Sequence, residues 1–169
     1  MRENVATSPA SPYAIELDGC TFRYKGASRP SLRGVSLKIP RGQCVVVTGQ
    51  SGCGKTTLTR LVNALIPLMY EGDLQGEARV AGKPVFSWTM GELSARVGSV
   101  FQNPRSQFVN LDVTSEIAFG CENLGIAREE MVERVAQAAS ALDIECLLGR
   151  GTEALSDGQK QSVILASAY

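Results

Sequence analysis

The sequence predicts an α/β domain organised around a phosphate-binding loop, and three observations carry that expectation. Gly49-Gln50-Ser51-Gly52-Cys53-Gly54-Lys55-Thr56-Thr57 fits the pattern G-x-x-x-x-G-K-[ST]. The apolar run Cys44 to Val47 precedes it, and Leu58, Leu61, Val62 and Leu65 follow at helical spacing, giving the strand, loop and helix that the motif requires. The chain also divides by pattern, with alternating β-formers ahead of the loop and helical periodicity after Asn103-Pro104.

Taken in order, Met1 to Pro12 is polar, rich in Ser and Pro, and reads as a loose leader. Tyr13 to Tyr24 alternates, and Val35 to Ile39 repeats the pattern beyond the polar connection Lys25 to Gly34, which predicts two strands of a small antiparallel layer. Gln43 to Thr48 is expected to be a buried strand feeding the loop, and Gly54 to about Leu65 a helix ended by Pro67. A short strand pair is expected around Gly76 to Val85. Val97 to Phe101, compact and apolar, is expected to lie beside the loop strand in a parallel sheet. Thr114 is the expected cap of a helix through about Leu124, with Glu116 in its first turn. In Arg128 to Leu142, Met131, Val132, Val135, Ala138, Ala139 and Leu142 form one apolar face opposite a charged one.

A triphosphate carries several negative charges, and successive backbone N–H groups can cradle it only where side chains do not intrude, which is the service of the glycines. Lys55 would reach the β- and γ-phosphates, Thr56 would give its hydroxyl to Mg²⁺, and the following helix would aim its positive end at the phosphates. The candidate nucleotide-binding residues here are Gly49, Ser51, Gly52, Cys53, Gly54, Lys55, Thr56 and Thr57.

Bulk properties exclude more than they assign. Lys plus Arg and Asp plus Glu both total 17, so overall charge does not point to nucleic acid or an anionic membrane surface. No stretch approaches the roughly 20 apolar residues of a spanning helix. Histidine is absent, which removes His-based acid–base catalysis and Ser-His-Asp triads. Cys20, Cys44, Cys53, Cys121 and Cys146 are scattered without a C-x-x-C pair and read as small buried residues rather than a metal or redox site.

Downstream, Leu155-Ser156-Asp157-Gly158-Gln159, followed by Lys160-Gln161 and the apolar run Val163 to Ala168, resembles the LSGGQ signature of ATP-binding-cassette (ABC) ATPases. Between loop and signature stands Phe101-Gln102-Asn103-Pro104, similar to that family's glutamine loop, and Tyr24 matches its adenine-stacking tyrosine. Pro104 to Phe108 and Thr114 to Gly120 look most like the ATPases of energy-coupling factor importers of vitamins, cobalt or nickel. The resemblance covers 13–169.

It implies a P-loop NTPase fold with a RecA-like parallel sheet, an antiparallel β subdomain and an α-helical subdomain over 103–165. It implies ATP sandwiched between two such domains packed head to tail, as a homo- or heterodimer, with Ser156, Gly158 and Gln159 of one facing the phosphates held by the other. Lys55 and Gln102 would be the catalytic residues, Thr56 and Gln102 the metal-associated ones, and ATP and Mg²⁺ the cofactors. Residues 104–119 would meet a transmembrane subunit, placing the protein in the cytoplasm on the inner face of the membrane, with no nucleic-acid partner. Two departures stand out. Asp157 replaces a signature glycine; a carboxylate about 5 Å from a γ-phosphate would cost ~3 kcal/mol per charge pair at an effective dielectric of 20, so it is expected to point away. Ser162 stands where the family commonly has a basic residue. Hydrolysis in the family also needs an Asp-Glu strand end and a switch histidine, which the family places after the signature helix. Asp143-Ile144-Glu145 reads as a helix end instead. The 169-residue chain is thus expected to bind ATP without turning it over, and a non-hydrolysing nucleotide-binding module is the alternative reading.

Overall fold

The computed structural model describes residues 11–169, so most of the expected leader lies outside the described residues. Two compact units divide at Ser94/Ala95, which assigns 95–102 to the second unit, ahead of the expected start at 103.

The first unit is built on a four-stranded antiparallel sheet in the order β2-β1-β3-β4, with β1 Tyr13–Tyr24, β2 Leu32–Pro40, β3 Gly72–Val80 and β4 Lys83–Pro84. Twelve residues long and central, β1 pairs on both sides, with Leu17 opposite Leu37 and Ala78 and Phe22 opposite Leu32 and Leu74. Leu17, Cys20 and Phe22 are all buried although their spacing breaks strict alternation. The register shift between Asp18 and Thr21 supplies the extra residue, and a bulge of that kind returns the following side chains to the same face. The hairpin expected at Gly76 to Val85 begins earlier and ends sooner: β3 starts at Gly72, and Val85 opens a 3₁₀ turn, Val85–Ser87.

The helix after the loop, α1, covers Lys55–Val62 and stops before the expected Leu65. Ala64 adopts a left-handed conformation (φ 55°), and the short α2, Leu65–Leu68, restarts beyond it, so a backbone reversal rather than Pro67 terminates α1. A last short helix, α3, spans Met90–Ser94.

The expected parallel strands are not formed. Among the described residues, Gln43–Thr48 and 97–101 enter no ladder. A parallel strand is held by hydrogen-bonded neighbours and by helices over both faces. Val45, Val46 and Val47, at 45%, 79% and 47% exposure, have no such cover.

The second unit packs α4 Val113–Asn123, α5 Arg128–Ala141 and α6 Asp157–Ala168 around Val113, Ile117, Val135, Ala138, Ala139, Leu155 and Val163. The cap of α4 is Asp112, not Thr114. Asp112 accepts from the Ser115 N–H at 3.0 Å, which holds its carboxyl below the ordinary carboxylate range, while Thr114 Oγ1 accepts from Gly149 N–H at 2.9 Å. Helix α5 matches its expected span within a residue, and Asp143, left-handed at φ 53°, turns the chain away from it, so Asp143-Ile144-Glu145 is a helix exit. Of the cysteines only Cys20 is buried, and burial pushes its thiol up from its ordinary value. The expectation of five buried cysteines is wrong because Cys44, Cys53 and Cys146 fall on exposed segments.

Candidate nucleotide-binding site

The phosphate loop is closed by the residue expected to bind its ligand. Lys55 Nζ donates to the carbonyls of Gly49 at 2.8 Å and Gln50 at 2.9 Å and lies 3.6 Å from Cys53 Sγ. The ammonium thus folds back over the loop, and the Cys53 N–H donates to Gln50 O at 3.3 Å within the same turn. Gly54 is the N-cap of α1 at φ 102°, and a Cβ there would meet the Ser31 carbonyl oxygen at 2.5 Å. Only glycine satisfies both conditions. Gly52, at φ 80°, faces open space.

The first N–H groups of a helix have no partner within it, and α1 presents those of Lys55, Thr56 and Thr57 at the loop. Thr56 is exposed and its hydroxyl has no hydrogen bond among the described residues, which suits a metal ligand. Thr57 is buried, with Oγ1 3.2 Å from Tyr24 Oη, so its side chain anchors the helix inward and leaves only its backbone to the loop. Tyr24 is held edge-on by Phe22 at 4.8 Å and Tyr70 at 6.1 Å, and its hydroxyl accepts from Arg60 Nη1 at 3.2 Å. The tyrosine is therefore a fixed element beside α1, next to a shallow depression of about 570 Å³ lined by Arg23, Lys25, Glu71 and Asp73.

In the second unit Gln102 is exposed on a segment closed by another glutamine. Gln107 donates through Nε2 to Ser99 O at 2.9 Å and accepts through Oε1 from the Phe101 N–H at 2.9 Å. One side-chain amide thus does for 99–101 what a neighbouring strand would do. Asn103 starts the 3₁₀ turn Pro104–Ser106 by accepting from Arg105 N–H at its side chain and from Ser106 at its backbone. Glu116, buried in α4, accepts at one oxygen from the N–H groups of Val109 at 3.0 Å and Asn110 at 2.7 Å. Phe108 packs against the unit's core, because this clamp draws the loop down, while its neighbour Val109 and Leu111 are exposed, at 63% and 84%.

Helix α6 begins at Asp157, with Ser156 as its N-cap in a full capping box: Ser156 Oγ accepts from Gln159 N–H at 3.3 Å and Gln159 Oε1 from Ser156 N–H at 2.9 Å. A hydroxyl can accept and donate, so the Ser156 proton remains for an anion. Gln159 is committed to the box through its side chain. A Cβ on Gly158 would meet nothing, leaving the first turn open to approach. Asp157, the first residue of the helix, is engaged by Arg105 in an exposed ion pair at 2.9 Å.

The sequence profile of the ABC transporter family matches residues 32–169, a span that includes the loop and the signature helix. The chain belongs to the ABC transporter family. A protein of Treponema denticola named as an ABC transporter ATP-binding protein is 46% identical over 155 residues, covering 92% of this chain and 32% of that protein. One of Enterococcus faecalis with the same description is 40% identical over 152 residues, covering 90% and 27%. The chain thus spans between about a quarter and a third of the length of the curated relatives it matches. Among solved structures, cbiO1 from Clostridium perfringens, part of the ABC transporter complex cbiONQ, superposes with a TM-score of 0.78 at 26% identity over 94% of this chain and 61% of that one. The fold class is that of the ABC ATPases, α/β and of P-loop NTPase type, to which the described residues contribute the antiparallel sheet and the helices.

Sequence reasoning missed Gln107, Glu116 and Arg105 as organisers of the segment after Gln102. Each acts on a backbone or side chain distant enough in sequence that no local pattern signals it.

Proposed function

We propose that the chain is the ATP-binding part of an ATPase that powers a membrane importer of the energy-coupling factor type. It would bind MgATP through its phosphate loop and present Ser156 and the open first turn of α6 to nucleotide held by a second such domain. The observation that carries this reading is the loop itself: Lys55 closes it over two carbonyls, Gly54 fits only as glycine, and the unpaired N–H groups of α1 converge there. The likeness to cbiO1 supports the importer class, and Val109 and Leu111, exposed within the 104–119 segment, support a membrane-subunit contact there. Attachment to the cytoplasmic face would run through that subunit; no helix among the described residues is long and apolar enough to cross a membrane. The cargo would be a micronutrient.

When bound, Mg²⁺ supplies charge neutralisation at the β- and γ-phosphate oxygens, and the exposed Thr56 hydroxyl would hold it. Lys55 would exchange its carbonyl partners for phosphate oxygens. Backbone N–H groups of the loop would orient the β-phosphate. Gln102 would sense nucleotide and metal, and Tyr24 would stack on the base, as the resemblance implies. ATP hydrolysis belongs to the intact protein. Binding of labelled ATP in the presence of Mg²⁺ tests the reading: Lys55→Ala should weaken it by at least about tenfold, ~1.4 kcal/mol, and unchanged affinity would refute the assignment.

A further inference from the structure

The turn Pro104–Ser106 delivers a guanidinium to the first residue of α6. Arg105 Nε and Nη2 lie 3.2 and 2.9 Å from the same carboxylate oxygen of Asp157. We propose that Arg105 is a positioning residue for nucleotide recognition, cancelling the charge of Asp157 so that the amino end of α6 can receive the terminal phosphate of ATP bound by a facing domain. The inference rests on the reading of α6 given under Proposed function.

Asp157 stands where a helix favours negative charge, so on its own it would compete with a phosphate for the same positive end and repel it. The guanidinium directs two of its donors to that one oxygen. The pair is open to solvent, with side-chain exposures of 68% and 73%, and ion pairs of that kind add little to folding. Its consequence therefore falls on a charged group arriving beside it. Arg105 is presented on a held turn: Asn103 Oδ1 fixes its backbone N–H at 3.2 Å, and Gln107 ties the segment ahead of the turn to Ser99 and Phe101. One residue beyond Asp157, Gly158 leaves the approach open, and the Ser156 proton is available beside it. The substitution of a signature glycine by Asp157 thus comes with its own counter-charge, carried by the segment expected to meet the membrane subunit.

The test is the preference for a non-hydrolysable ATP analogue over ADP, measured by equilibrium titration of the intact protein at low and high salt. Arg105→Ala should lower that preference about fivefold to tenfold at low salt, with the loss shrinking as salt screens the exposed carboxylate. Arg105→Lys should keep most of it. Asp157→Gly alone should leave the preference at or above its original value, and in that background Arg105→Ala should do nothing further. No loss in Arg105→Ala, or the same loss with and without Asp157, overturns the proposal. Ser156→Ala separates the two levels. If it lowers the preference while Arg105→Ala does not, only the role of Arg105 fails; if neither changes it, the facing-domain reading of α6 fails with it.

Discussion

Replacing Gly54 by alanine should damage the phosphate loop more than the same change at Gly52, by an amount the geometry supplies. Both glycines are left-handed, at φ 102° and 80°, so each alanine bears backbone strain of about 1–2 kcal/mol. At Gly52 that is the whole cost, because an added Cβ meets nothing within 4 Å. At Gly54 the same carbon would sit 2.5 Å from the Ser31 carbonyl oxygen and 3.2 Å from Leu32 Cδ2. A backbone oxygen cannot swing aside, so α1 must shift against β2, an overpacking cost of about 1–3 kcal/mol more. For Gly54→Ala the sum is about 2–5 kcal/mol. At roughly 4–8 °C per kcal/mol for a unit of this size, the melting temperature should fall by on the order of 20 °C, against about 4–16 °C for Gly52→Ala. Thermal unfolding followed by circular dichroism, with labelled-ATP binding below the transition, reads both effects. If Gly54→Ala melts with Gly52→Ala and binds nucleotide normally, the contact with Ser31 does not set the entry of α1 and the argument is wrong.

Other expectations follow from single contacts. Glu116→Ala should cost about 2–3 kcal/mol by leaving the Val109 and Asn110 N–H groups without their acceptor, whereas Glu116→Gln, which retains one acceptor oxygen, should recover most of it in urea denaturation. The depressed Asp112 carboxyl contributes stability that is complete above the ordinary carboxylate value and is lost as pH falls through its lowered one; Asp112→Ala should remove about 1 kcal/mol near neutrality and flatten that acid limb of the stability profile. Cys53, exposed and 3.6 Å from the Lys55 ammonium, should be alkylated more slowly when MgATP is present, while Cys146 should not; peptide mass spectrometry decides it, and equal rates with and without nucleotide would move the ligand away from this loop.

Features specified by contiguous residues were legible beforehand: β1, with its dense β-formers; α5, with one apolar face; and the helix that follows the phosphate loop. What could not be read depended on partners far along the chain. Both Asp112 and Thr114 are competent caps, and the choice is made by Gly149 and Arg150, which occupy Thr114 Oγ1 and the Val113 N–H. Phe108 follows polar residues in sequence that give no sign of burial, but Glu116 draws that loop onto the core. Val45 to Val47 has the composition of a buried strand, yet composition does not provide a hydrogen-bonding neighbour. Arg105 and Asp157, 52 residues apart, form a pair that no spacing rule anticipates.

The phosphate loop is moored unequally. On its far side Gly54 is seated against Ser31 and α1 is pinned by Tyr24, but on its near side it hangs from Gln43–Thr48, a run with no ladder among the described residues. A ligand that needs the loop in one shape loses affinity in proportion to the fraction of molecules not in that shape. Any strand that docks on Val45–Val47 would therefore tighten nucleotide binding without touching the nucleotide. By reciprocity, bound ATP would strengthen the grip of this run on that strand by the same factor. Assembly of the sheet and occupancy of the loop would then be one equilibrium seen from two ends.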